Sequence, residues 1–277
     1  MVDVSVIIVT WNSANVIDDC VKSVISNSET LKIELIIIDN NSSDNTYDKL
    51  LNIDFQNLQV YKNETNLGFT KAVNQGIKYS SGKHVMLLNP DTVLKPHCLD
   101  FLASFLNNNE SYSACCPLLL NEDGTIQQSI RNFPDYWTMF CEFSLLAYIF
   151  SKTKFFGKWK MKYFKYDHDE DVNQPMAAAL MIRKTKLDEL KNMDERFEMF
   201  FNDVDLCRQI IDSNSKIRFL KDTKIIHVKG ESIYKDRKRM INVWNRDCIK
   251  YFEKYHNNAL LLLWLKISLS ITKLFRR

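Results

Sequence analysis

Apolar positions along the first hundred residues fall into two alternating patterns. Short runs rich in β-branched and aliphatic side chains occur at Val4–Val9, Ile33–Ile38, Leu58–Tyr61 and His84–Leu88. Between them apolar residues return at helical spacing, through Ile17, Cys20, Val21 and Val24 and again through Phe69, Val73 and Ile77. Continuous short runs read as strands buried on both faces, and steps of three and four read as amphipathic helices. Their alternation predicts an α/β chain with a mainly parallel, Rossmann-like central sheet flanked by helices. Ligands of such sheets bind beyond the carboxyl ends of the strands. Those ends read Thr10-Trp11-Asn12, Asp39-Asn40-Asn41 and Asn89-Pro90-Asp91. All are polar, and two carry a carboxylate.

Beyond about residue 112 the pattern loosens. It predicts a strand at Ala114–Leu120, a turn at Glu122-Asp123-Gly124 and one apolar helix over Tyr136–Phe150. A buried strand follows at Met176–Ile182, then a helix over Asn202–Asp212 and closing strands at Ile217–Leu220 and Lys224–Val228. Amphipathic helices from about Arg237 to Tyr255 and from Ala259 to Phe275 end the chain. With no internal repeat or low-complexity linker, the chain divides into 1–112, 113–235 and a helical 236–277.

A length of 277 residues allows a substantial core, and 45% hydrophobic with 26% charged residues is ordinary globular composition. A net charge of +3 is too small to argue for a nucleic-acid partner, and none is expected. Seven cysteines without a CxxC pair read as reduced core residues of a cytoplasmic protein, and no secretory leader is apparent. The stretch Lys152–Tyr166 interleaves lysines with Phe155, Phe156, Trp159, Tyr163 and Phe164 and contains no acid. It reads as a membrane contact or as a flap over a site. The Ala259–Phe275 run is interrupted by Lys266 and Lys273 and is shorter than the ~20 residues of a spanning helix. It reads as an interfacial helix on anionic lipid, anchored by Trp264, Arg276 and Arg277, which predicts a peripheral protein on the inner face of the membrane. The competing reading packs this helix on the domain or on a second copy in a homodimer.

None of the six glycines falls in a GxGxxG or GxxxxGK[ST] pattern, and no serine sits in a GxSxG elbow. A phosphorylated ligand at these strand ends therefore needs a cation, most economically a divalent metal held by oxygen or histidine. Asp91, after an apolar strand, suits that task, although a turn or helix-capping role fits it too. Asp39 ends another strand and either accepts hydrogen bonds from a nucleoside or caps its own loop. Asp203 falls in the first turn of a helix, where the dipole favours any carboxylate; a general base is the alternative. His227 ends an apolar strand, as a core residue or a ligand.

In this order the pieces become specific. They are Val6-Ile7-Ile8-Val9-Thr10-Trp11-Asn12-Ser13, Ile38-Asp39-Asn40-Asn41-Ser42-Ser43-Asp44, Asn66-Leu67-Gly68-Phe69 with Asn74 and Gly76, and Leu87-Leu88-Asn89-Pro90-Asp91. Later come Met193-Asp194-Glu195-Arg196-Phe197, Asn202-Asp203-Val204-Asp205-Leu206-Cys207, and His227 with Gly230 and Ser232. From about residue 3 to 235 the chain resembles the family 2 glycosyltransferases, in particular their rhamnosyltransferase-like branch. The resemblance implies a GT-A fold, with a nucleotide-sugar-binding half over 1–112 and an acceptor-binding, catalytic half over 113–235. It implies nucleotide binding by Thr10, Asn12, Asp39, Asn66, Gly68 and Asn89, and Mg²⁺ or Mn²⁺ on Asp91 with His227. It makes Asp203 the catalytic base. The implied reaction is inverting transfer from a dTDP- or UDP-linked sugar, L-rhamnose or a hexose, to a lipid-linked or growing surface polysaccharide.

Three positions depart from the family pattern. Asn89 replaces an acid, placing more of the metal's affinity on Asp91. Asn202 replaces the acid before the base, which should leave Asp203 less perturbed. Ala177-Ala178-Ala179 replaces a Gly-Ala step, and a methyl there narrows the acceptor pocket. A non-catalytic nucleotide-sugar-binding scaffold subunit is the alternative, disfavoured by the retained Asp91, Asp203 and His227. A nucleotidyltransferase would need a glycine-rich basic loop that Thr10–Ala14 does not provide.

Overall fold

The computed structural model describes residues 2–27, 30–228 and 237–275, so Gly230, Ser232, Arg276 and Arg277 lie outside the described residues. The first part alternates as the pattern predicts: β1 (Val4–Thr10), α1 (Ile17–Ile25), β2 (Ile33–Asp39), α2 (Thr46–Leu51), β3 (Leu58–Lys62), α3 (Phe69–Tyr79) and β4 (His84–Leu88). There follow β5 (Thr92–Leu94), α4 (Cys98–Asn108), β6 (Tyr112–Leu120), β7 (Ile130–Arg131), α5 (Tyr136–Phe143) and α6 (Leu146–Ile149). The chain closes with β8 (Glu170–Asp171), β9 (Gln174–Pro175), β10 (Ala179–Arg183), α7 (Lys184–Glu189), α8 (Asn202–Asp212), β11 (Lys216–His227), α9 (Arg237–Tyr255) and α10 (Ala259–Phe275).

One sheet runs through the molecule in the order β3-β2-β1-β4-β10-β6-β11-β5, with β8 paired to β11. Strands β1, β2, β3, β4, β6 and β11 share one direction, while β10, β5 and β8 oppose them. Every residue of β1 and β2 is buried, because helices cover both faces. Val6, Ile8 and Leu35 face one apolar layer with α1 and α4, whereas Ile7, Ile36 and Ile38 face the other with α3 and α8. All seven cysteines are free and buried, in keeping with core roles.

Close packing of α3 on β1 depends on Gly76, where a Cβ would lie 2.5 Å from Ile7 Cγ2. That methyl is set near the backbone of a buried strand and has little room to yield. Gly76→Ala should therefore cost about 1–3 kcal/mol of stability through overpacking, seen as a lower denaturant midpoint at an unchanged slope.

Some boundaries differ from the sequence reading. The Tyr136–Phe150 helix is two helices, broken where Leu145 takes φ 62°. The two closing strands are one, β11, with a register shift between Leu220 and Lys224. The buried strand over Met176–Ile182 begins later, at Ala179. Within the basic aromatic stretch the side chains of Trp159 and Tyr166 are buried. Among the described residues no helix is long and apolar enough to cross a membrane.

Candidate active site

The carboxyl ends of β1 and β4 and the start of α8 open onto one cavity of about 490 Å³. Asn66, Gly68, Asn89, Asp91, Asp203 and His227 all line it. Six of the nine residues singled out from sequence thus converge on a single space.

Asp91 and His227 are brought together by a short strand the sequence pattern did not reveal. β5 pairs antiparallel with the end of β11, setting His227 opposite Thr92, and Val228 N donates to Asp91 O at 2.8 Å. The Asp91 carboxylate then lies 3.3 Å from His227 Nε2. On its other side His227 Nδ1 is 2.7 Å from Gln127 Oε1. The Asn89 loop is tied back by Asn89 N donating to Ala178 O and Thr92 Oγ1 donating to Asn89 O.

Asp203 stands at the start of α8, after Phe201 turns the chain with φ 59°. One carboxylate oxygen accepts from Val204 N at 2.8 Å and the other from Gln174 Nε2 at 3.1 Å. Burial pushes this carboxyl above its ordinary value, while the Arg131 charge and the N–H groups of Val204 and Ala177 pull it back. With the neutral Asn202 beside it, desolvation rather than a neighbouring negative charge sets the shift. Asn202 instead ties α8 to α3 through Thr70 Oγ1 at 3.1 Å. The preceding loop is pinned from α9, where the buried Asp247 accepts from Met199 N and Phe200 N.

Thr10, Asn12 and Asp39 do not line the cavity. Asp39 is fully buried and accepts from Thr10 Oγ1 at 3.0 Å, Ser42 Oγ at 2.5 Å and Ser42 N at 3.1 Å. Asn12 accepts from Ser43 N at 2.8 Å and donates its backbone N–H to Ser42 Oγ at 2.9 Å. Together they lock the loops after β1 and β2 to one another. Next to them Asn40 faces the cavity and donates to Asn66 Oδ1 at 2.9 Å, and Asn66 Oδ1 also accepts from Gly68 N at 2.9 Å. Gly68, at φ 85°, passes so close to Glu198 that a Cβ would meet Glu198 Cγ at 3.0 Å.

Sequence reasoning passed over Gln127, Arg131, Gln174, Phe201 and Trp244; the last two join Trp11 and Trp159 in an aromatic wall of the cavity. The two-residue pairing of β7 with β9 sets Arg131 opposite Gln174, beside Asp203. A lone arginine next to Ile130, and glutamines outside any motif, give no sequence signal of this kind.

The fold is of the GT-A type. It superposes with a TM-score of 0.63 on the crystal structure of GalNAc-T7 with UDP, GalNAc and Mn²⁺, at 16% identity over 83% of this chain and 44% of that one. Residues 5–172 match the profile of glycosyl transferase family 2, and the chain belongs to that family. An uncharacterized glycosyltransferase of Haemophilus influenzae is 30% identical over 113 residues, 40% of this chain and 35% of that protein. An N-acetylglucosaminyl-diphospho-decaprenol L-rhamnosyltransferase of Mycobacterium tuberculosis is 22% identical over 219 residues, 74% of this chain and 69% of that protein. The match thus spans about a third of the Haemophilus protein's length.

Proposed function

We propose that this chain is an inverting, metal-dependent glycosyltransferase that moves a sugar from a nucleotide-diphosphate donor to a lipid-linked glycan acceptor. The observation that carries the reading is the placing of the Asp91–His227 pair and of Asp203 on one cavity. In this reading residues 1–112 hold the donor and 113–235 the acceptor. The name of the mycobacterial relative supports a rhamnosyl donor and a lipid diphosphate acceptor, with a UDP-hexose the competing donor.

The donor set fits Mg²⁺ or Mn²⁺. A carboxylate oxygen and an imidazole nitrogen face each other at 3.3 Å, although among the described residues no group of three or more His, Cys, Asp or Glu gathers that could hold a metal ion. Asp91 and His227 would be the residues of this chain that hold the cation. When bound, the cation neutralises charge on the leaving diphosphate. Asp203 takes the proton of the acceptor hydroxyl as its oxygen attacks the anomeric carbon from the face opposite the diphosphate. This single displacement inverts the anomeric centre. Gln174 holds one oxygen of the base, leaving its second lone pair for the hydroxyl. Thr10, Asn12 and Asp39 serve the nucleoside pocket by fixing the loops that shape it. Trp11, Phe201 and Trp244 supply apolar faces on which a sugar ring or base stacks.

Attachment to an anionic membrane surface belongs to the same proposal. Of the seventeen exposed large hydrophobic side chains among the described residues, twelve fall within 137–155 and 260–271, including Tyr148 at 77% and Leu260 at 80%. Leu265 and Leu269 seat α10 on the domain, while Leu260, Leu263, Ile267 and Ile271 form an outward stripe. Trp264 joins this helix to α5 through Phe140 and Phe143, so both segments build one face. Exposed Lys152 and Lys154, within the first of these segments, supply positive charge. Wild type should sediment with phosphatidylglycerol vesicles, and Ile149→Glu with Ile267→Glu should weaken that binding at least about tenfold, two apolar side chains being lost from the interface. A wild type that ignores these vesicles, and a dimer that the same substitutions dissociate, would assign the face to a second copy.

Activity is tested by incubating the full chain with Mn²⁺, a panel of dTDP- and UDP-sugars and a polyprenyl-diphosphate-linked sugar. Transfer from one donor with inversion supports the reading. Donor binding without transfer to any acceptor would leave only a nucleotide-sugar-binding role.

A further inference from the structure

A hydrogen-bond chain runs from a surface turn to His227, and each link has a fixed direction. Asp123, as a carboxylate, only accepts, so Thr125 Oγ1 donates to Asp123 Oδ1 at 2.6 Å. Thr125 Oγ1 then accepts from Asn121 Nδ2 at 2.9 Å, which leaves Asn121 Oδ1 to accept from Gln127 Nε2 at 3.0 Å. The backbone sets the same direction independently, because Gln127 Nε2 also donates to His227 O at 3.0 Å, and a carbonyl only accepts. Gln127 Oε1 must therefore be the atom 2.7 Å from His227 Nδ1, and the proton between them sits on the imidazole. When the ring is neutral its lone pair is therefore on Nε2, which faces Asp91 Oδ1 at 3.3 Å. Gln127 and His227 are both almost fully buried, so water does not substitute readily for either link.

We propose that Gln127 is a positioning residue that fixes His227 as its Nδ1–H tautomer and presents Nε2 to a divalent cation shared with Asp91. This deepens the functional reading above and rests on its metal pair. Outer-shell partners of this kind change metal affinity by about 10–100-fold. Gln127 is also a clamp, because one amide grips both the ring and the backbone of the same histidine. It ties the last residue of β11 to the 121–127 turn, and that turn holds the polarity of the chain.

The test uses the full-length protein, with Mn²⁺ and UDP as probes and free Mn²⁺ followed by electron paramagnetic resonance. Imidazole tautomers are read separately by long-range ¹H–¹⁵N correlation, with the His227 signals assigned by their loss in His227→Ala. Wild type should show the Nδ1–H tautomer at His227. Gln127→Leu should convert it towards the Nε2–H form and weaken Mn²⁺ binding about 10–100-fold. Gln127→Glu, which keeps an acceptor at Nδ1 but loses the donor to Asn121 Oδ1 and His227 O, should retain the tautomer while giving up part of the affinity. A wild-type His227 carrying its proton on Nε2, or on both nitrogens, would overturn the proposal even if the variants failed to fold. Mn²⁺ affinity lost in His227→Ala but unchanged in Gln127→Leu would sink the role of Gln127 and leave the metal pair standing. Unchanged affinity in His227→Ala would remove the metal pair itself.

Discussion

Asp203→Asn should lower kcat by about 10²–10⁴ while donor affinity stays near the wild-type value, the range expected when a general base is removed. The substitution keeps the size of the side chain and the bond from Val204 N. Gln174 is able to adapt, since among the described residues its buried Oε1 has no hydrogen-bond partner and would accept from an introduced amide. Two pH effects follow from the raised folded-state pKa, and their signs are opposite. Proton abstraction needs the ionised carboxylate, so kcat should rise with pH through the Asp203 titration, above the range of an exposed aspartate. Stability moves the other way. Between the unfolded and folded pKa values the native state binds the proton and the unfolded chain does not, so unfolding free energy falls as pH rises through that window. Asp203→Asn carries no such charge. Above the window it should be more stable than wild type, and urea midpoints measured across pH for both proteins check this. A variant that is inactive and also less stable at neutral pH would mark Asp203 as a structural cap rather than a base.

The sheet was legible in the sequence because its central strands are long apolar runs, and their ends announce a crevice. Asp91, Asp203 and His227 could be picked out because each follows or opens a strongly patterned element. Their juxtaposition could not. It depends on β5, whose three residues are too few for any period to be detected, and on its antiparallel register with β11. The β7–β9 ribbon, only two residues per strand, hid Arg131 and Gln174 for the same reason. The strand-end rule placed Thr10 and Asp39 in the ligand crevice, whereas the structure turns them towards each other. Buried side chains with satisfied hydrogen bonds shape a loop as effectively as they contact a ligand. Leu145 shows another limit. An apolar run continues through it with helical spacing, yet a single positive φ divides the helix and opens the outward face of α6.

Asp91→Ala should abolish Mn²⁺-dependent donor binding altogether, and that separates it from Asp203→Asn. With Asn89 in place of an acid, Asp91 is the carboxylate that the β4 end offers beside His227, and its loss leaves one imidazole to hold the cation. Ligand at a hundred times its Kd stabilises the folded state by about 2.7 kcal/mol. For a domain of this size that amounts to roughly 5–10 °C in Tm. Wild type and Asp203→Asn should both show such a shift with Mn²⁺ and the matching nucleotide sugar, and the donor that produces it is thereby named. Asp91→Ala should show no shift with any donor, at a basal Tm close to wild type. Its backbone carbonyl still accepts from Val228 N and holds the β5–β11 corner, so the loss would be one of ligand rather than of fold. If Asp91→Ala instead keeps the full shift, diphosphate charge is met elsewhere in the cavity. Arg131 and Arg239, the two arginines that line it, then become the residues to remove next.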